Sequence, residues 1–141
     1  MTQHFHRYKE IALSVIKNET KKKSLEGKVT LGVGVRVAKS VEIGMAMKAS
    51  GYDWLFIDTE HGPFNLETAT QISTAALTQG ITPIVRVASL EPHLSSRILD
   101  CGAQGIVLPH VNTAEEAREF VLICKFPPEG GRSHGGGLPH A

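Results

Sequence analysis

The residues with the clearest capacity for chemistry lie in "WLFIDTEHGP" (54–63), where an apolar run ends in Asp58, Glu60 and His61. A histidine beside carboxylates is a candidate general base, because its ordinary pKa of about 6.5 lets it accept a proton near neutrality while an acid orients the ring. Arg86, inside the apolar "TPIVRVA" (82–88), adds a forked donor suited to a carboxylate or a developing enolate. An arginine in an apolar strand calls for an anion, since burying it alone costs several kcal/mol. Together these types suit proton chemistry next to a carbonyl. Alone, "DTEH" is a weak signal, because Asp–His neighbourhoods are commonly structural.

The segments that must position these groups alternate. Apolar periodicity and breakers predict strands over 30–38, 54–58, 82–88 and 105–111, with helices over 40–51, 65–80, 91–102 and 112–124. Ser40 and Asn65 are the expected N-caps, Gly51 and Gly80 the expected stops, and Pro92 is expected in a first turn, where its missing N–H does no harm. Before them, roughly Phe5 to Lys28 reads as an amphipathic helix through Ile11, Ala12, Val15 and Ile16, followed by a polar loop; 125–141 reads as a Gly/Pro-rich tail.

Strands alternating with helices imply a parallel sheet, either open and doubly wound or part of a (β/α)8 barrel. No "GxGxxG" follows the first strand, which weakens the dinucleotide-binding version of the open sheet. In both architectures polar groups at the carboxyl ends of strands gather in one place. Those ends carry Arg36, then Asp58, Glu60 and His61, then Arg86, then His110 and Asn112. Asp100 falls near the end of the third helix of this series.

Composition narrows the partners. The 141 residues, 41% hydrophobic and 21% charged, suit a single domain with a core, and a net charge of +1 offers no basic excess for nucleic acid. The "KKK" at 21–23 reads as a solvated helix end. Cys101 and Cys124 are too few for a disulfide framework or a paired-thiolate zinc site and read as core residues. His110 and His134 match no zinc signature, and "GGRSHGGG" lacks the features of a phosphate loop. With no apolar leader and no stretch long enough to span a bilayer, the expected location is the cytoplasm.

"DWLFIDTEHGPFNLET", "PIVRVASLEPHLSSRILDCGAQGIVLPHVNTAEEARE" and "FPPEGGRS" together resemble the HpcH/HpaI aldolase family over about Leu31 to Ser133. These are metal-dependent class II pyruvate aldolases, such as 2,4-dihydroxyhept-2-ene-1,7-dioate aldolase and 2-keto-3-deoxy sugar acid aldolases. The resemblance implies a (β/α)8 barrel that cleaves a 4-hydroxy-2-oxo acid to pyruvate and an aldehyde. It implies that His61 is the acid/base group, that Arg86 holds the pyruvate oxygens, that Asp100 pairs with the histidine, and that Asp58 is the acid three residues before it. It also implies a divalent ion, Mg2+, Mn2+ or Co2+, held by a Glu and an Asp that would lie beyond Ala141, and a homo-oligomer, the family hexamer.

A complete barrel usually takes about 200 to 250 residues, so the expectation is the first four βα units, an N-terminal portion with the proton-handling groups and without the metal ligands. Two other readings stay open. One is a non-catalytic half-barrel, a remnant or assembly module; the other is an open-sheet binder of small carboxylates using Arg86 without metal.

Overall fold

The computed structural model describes residues 16–133. Its elements run α1 (Glu19–Leu25), β1 (Gly32–Val35), α2 (Ile43–Ala49), β2 (Trp54–Asp58), α3 (Leu66–Thr78), β3 (Thr82–Arg86), α4 (Pro92–Asp100), β4 (Gly105–Val107) and α5 (Ala114–Cys124). The strands form one parallel sheet in the order β1-β2-β3-β4. Each strand is followed by a helix, so the alternation predicts the architecture correctly.

The period of two sorts each strand between two faces. Leu55, Ile57 and Val85 turn toward the helices and pack with Ala69, Ile72, Ala76 and Ile98 in the buried core. Trp54, Phe56, Asp58, Ile84 and Arg86 alternate with them on the opposite face. Register stacks these into rungs: Gly32, Trp54 and Thr82; Gly34, Phe56, Ile84 and Gly105; then Asp58, Arg86 and Val107. Gly32 has a steric reason, since a Cβ there would lie 2.1 Å from the Trp54 ring.

The element ends differ from the sequence expectation for local reasons. The fourth strand stops at Val107 rather than 111, because Pro109 brings no N–H to a ladder and His110 adopts φ 56. The helix expected from 112 starts at Ala114, where Thr113 and Glu116 form a reciprocal capping box. The one expected from Ser40 starts at Ile43, with Glu42 at the cap and no side-chain bond. Asn65 caps α3 as expected, accepting from the Thr68 N–H at 2.8 Å, and Pro92 opens α4.

The polar run expected to be a loop contains α1. Asn18 caps it, and Thr20, its buried residue, donates to the Asp53 carbonyl at 3.0 Å. Lys23 pairs with Asp53, Thr82 Oγ1 donates to Asn18 Oδ1 at 3.3 Å, and Gln104 Nε2 donates to the Ile16 carbonyl at 3.0 Å. Asp53, Thr82 and Gln104 stand at the starts of β2, β3 and β4, so this segment covers the amino end of the sheet and leaves the carboxyl end to the site. The amphipathic helix expected through Ile11 and Val15 lies outside the described residues, apart from Ile16. Among those described, no helix is long and apolar enough to cross a membrane.

Candidate active site

The site grows from the last rung of the β2–β3 ladder, where Asp58 and Arg86 are register partners. Arg86 donates side-on to the Asp58 carboxylate, from Nε to Oδ1 at 3.0 Å and from Nη2 to Oδ2 at 2.6 Å. Such a fork combines charge with fixed geometry. Asp58 is 1% exposed. The Arg86 hydrogen bonds outweigh the cost of burial and, with the N–H groups of His61 and Glu60, hold its carboxyl at about 2. In turn, Asp58 raises the Arg86 pKa.

The same carboxylate shapes the loop that carries the histidine. Asp58 Oδ1 accepts from the backbone N–H of Glu60 and of His61, both at 3.1 Å, a local turn of the kind that short acidic side chains stabilise. Thr59 ties the loop to β3, donating to the Arg86 carbonyl from its backbone N at 3.1 Å and from Oγ1 at 2.6 Å. Gly62 completes it, because a Cβ at that position would lie 2.2 Å from the Asp58 carbonyl oxygen.

Glu60 then closes the cluster. Its Oε2 lies 3.1 Å from Arg86 Nη1, while Oε1 lies 2.7 Å from His110 Nε2 and 3.7 Å from His61 Nε2. Arg36 approaches Asp58 Oδ2 at 3.6 Å, and the Arg86 guanidinium sits 5.6 Å from the Phe56 ring centre. The His61 side chain is 58% exposed, on the loop that leaves the end of β2. Three strand ends therefore deliver an anchored arginine, two carboxylates and two imidazoles to one place. The arrangement offers Arg86 to an anionic or enolate oxygen and His61 to a proton.

Of the four residues expected in the site, the structure brings together Asp58, His61 and Arg86. Asp100 stands elsewhere: it ends α4, which starts beyond the carboxyl end of β3 and returns toward the other edge over nine residues, roughly 13 Å. There it accepts from Arg132, a guanidinium 7% exposed and stacked 4.5 Å from the Phe126 ring centre. Both line a groove of about 870 Å³ between α4, α5 and 128–133, separate from the strand-end cluster. The expected pairing of Asp100 with His61 is thus absent within this chain, because helix direction separates them. Glu60 and His110, passed over in choosing site residues, are the additions, and their position at strand ends was the signal.

Among the described residues, no group of three or more His, Cys, Asp or Glu side chains could hold a metal ion. Asp58 is bound side-on by Arg86, and Glu60 is divided between Arg86 and His110. The donor set here does not fit the divalent ion implied by the resemblance.

A family model described as HpcH/HpaI aldolase/citrate lyase matches residues 37–139. The 4-hydroxy-4-methyl-2-oxoglutarate aldolase tasA of Hapsidospora irregularis is 41% identical over 118 residues, 83% of this chain and 44% of that protein. The hydroxypyruvate/pyruvate aldolase of Roseobacter denitrificans is 38% identical, covering 84% and 46%. The crystal structure of an HpcH/HpaI aldolase from Desulfitobacterium hafniense superposes with a TM-score of 0.79 at 31% identity, over 82% of this chain and 45% of that one. The chain spans about half the length of the relatives it matches. It belongs to the HpcH/HpaI aldolase/citrate lyase family, and its four βα units are part of that family's (β/α)8 barrel.

Proposed function

We propose that this chain supplies the oxo-acid-binding and proton-handling part of a pyruvate aldolase, a carbon–carbon lyase. The observation that carries the reading is Arg86, which is fixed by Asp58 on one edge and shares the Glu60 carboxylate with the exposed imidazole of His61. Relatives named as aldolases of 4-hydroxy-4-methyl-2-oxoglutarate and of hydroxypyruvate and pyruvate support the substrate class.

In the cleavage direction, His61 takes the proton of the 4-hydroxyl, the C3–C4 bond breaks, and its electron pair passes into the enolate of pyruvate while the aldehyde leaves. Arg86 faces the oxygens on which the enolate's charge collects, and a preorganised charged donor there favours the transition state over the ground state. Protonation of C3 then gives pyruvate. We assign Asp58 to hold Arg86 and to shape the His61 loop. The divalent ion, Mg2+, Mn2+ or Co2+, would be held by a Glu and an Asp outside residues 1–141, and no step above is routed through it.

The test is pyruvate release from a 4-hydroxy-2-oxo acid, or oxaloacetate decarboxylation, with added Mn2+. Loss of the activity in His61→Ala and Arg86→Ala is the expected result. Activity that survives both substitutions would overturn the assignment, and a folded chain with no activity would favour the non-catalytic half-barrel.

A further inference from the structure

Glu60 and His110 have no role in the scheme above, yet they join the loops after β2 and β4. Glu60 Oε1 lies 2.7 Å from His110 Nε2. A carboxylate oxygen is an acceptor, so we assign the tautomer in which His110 Nε2 carries the hydrogen and donates. The Glu60 side chain is 10% exposed. Its Oε2 faces Arg86 Nη1 at 3.1 Å without the alignment of a hydrogen bond, so it is His110 that fixes the carboxylate's direction.

His110 is itself held in an unusual state. It is the one non-glycine residue among those described with positive φ, at 56°, a region uncommon for residues other than glycine, in which His is enriched together with Asn and Asp. Asn112 Nδ2 donates to its carbonyl at 2.8 Å, and Pro109 precedes it. A backbone kept there is maintained by its surroundings, and here it brings an imidazole across to Glu60. Without that donor, the nearest remaining imidazole to Oε1 is His61, 3.7 Å away. The carboxylate would then turn from Arg86 toward the group that handles the proton.

We propose that His110 is a positioning residue: its Nε2–H pins Glu60 Oε1, keeping Oε2 against Arg86 and the carboxylate off His61, so that both groups stay set for an oxo acid. The inference deepens the strand-end reading, and its binding arm rests on it.

Two variants of the 141-residue chain test it. His110→Gly suits the positive φ, so it removes the imidazole without burdening the backbone. His110→Gln restores an amide donor of similar reach. In the ligand-free protein, NMR of the Arg86 Nη1–H groups, which face Glu60 Oε2, should show faster exchange with water in His110→Gly and near-native exchange in His110→Gln. Pyruvate binding by calorimetry should weaken roughly ten- to a hundredfold in His110→Gly, the worth of one charge-assisted hydrogen bond, and recover in His110→Gln. Unchanged Arg86 exchange in His110→Gly, or equal defects in both variants, would overturn the proposal. If the unaltered protein binds no pyruvate, the substrate reading fails while the exchange measurement still decides the role of His110. Should His110→Gly not fold, His110→Asn takes its place, at home at positive φ but too short to reach Glu60 Oε1.

Discussion

The Arg86 guanidinium lies along the edge of the Asp58 carboxylate, with Nε 3.0 Å from Oδ1 and Nη2 2.6 Å from Oδ2, and the two residues close the ladder between adjacent parallel strands. Because β-register places them, no loop has to settle for the pair to form. The pair in turn sets the loop, since Asp58 Oδ1 also accepts from the Glu60 and His61 N–H groups. One carboxylate thus links sheet geometry to the orientation of both functional groups.

Stability should therefore fall in acid through Asp58. Its carboxyl is held at about 2, below its ordinary 3.8. A depressed folded-state value means that the stabilisation is complete above about pH 4 and is lost as pH falls through about 2. The contribution is roughly 2 kcal/mol. Urea unfolding across that interval should show a steep fall for the unaltered protein and a shallower one for Asp58→Asn, which is already less stable at neutral pH. Parallel slopes for the two proteins would contradict this.

Arg86→Lys should fail even though it keeps the charge. An ammonium is a point donor and cannot span both oxygens of Asp58, so the 1% exposed carboxylate loses one of its two charge-assisted hydrogen bonds from residue 86, at a cost of about 1.5–3 kcal/mol. The expected readings are a lower thermal midpoint and pyruvate binding weakened about tenfold or more. Near-native values for both would show that the fork is not needed.

Gly62→Ala should disrupt the His61 loop through contact alone. The new methyl would stand 2.2 Å from the Asp58 carbonyl oxygen, 3.1 Å from the Phe64 ring and 3.3 Å from the Arg36 carbonyl. Two of these neighbours are backbone and cannot rotate away. A loss of about 1–3 kcal/mol is expected, together with shifted His61 imidazole resonances. Gly34→Ala is the control, since nothing lies within 4 Å of a Cβ there.

Much of this architecture is legible in the chain because alternation, caps and strand ends are local. The apolar runs at 54–58 and 82–86, the Asn65 cap and the Pro92 start each follow from neighbouring residues. Of helix α1 only the "KKK" helix end is legible, because the helix docks through Thr20, Lys23 and Asn18, polar contacts that leave no hydrophobic period. The expected end of β4 falls too late although Pro109 marks it locally; the left-handed backbone of His110 that follows is not a feature apolar periodicity reveals. Glu60 was visible in "DTEH", but its value depends on facing Arg86 and His110 together, which only the folded sheet arranges.

Asp100 is where sequence likeness and geometry part, and its substitution separates the two accounts. In this chain its carboxylate receives Arg132, whose side chain is 7% exposed and whose Nε is buried without a hydrogen bond. Asp100→Ala leaves that guanidinium buried over Phe126 without this carboxylate, which should cost about 3 kcal/mol or more. Asp100→Asn keeps an acceptor and should cost less. If Asp100 served His61 alone, both variants would keep native stability and lose only activity. The structure instead predicts a drop in thermal midpoint ordered Ala, then Asn, and a comparable drop for Arg132→Met only if that side chain fails to fill the space over Phe126. A double-mutant cycle of Asp100→Ala with Arg132→Met should show a coupling of about 1 kcal/mol or more, and additive effects would dissolve the pair.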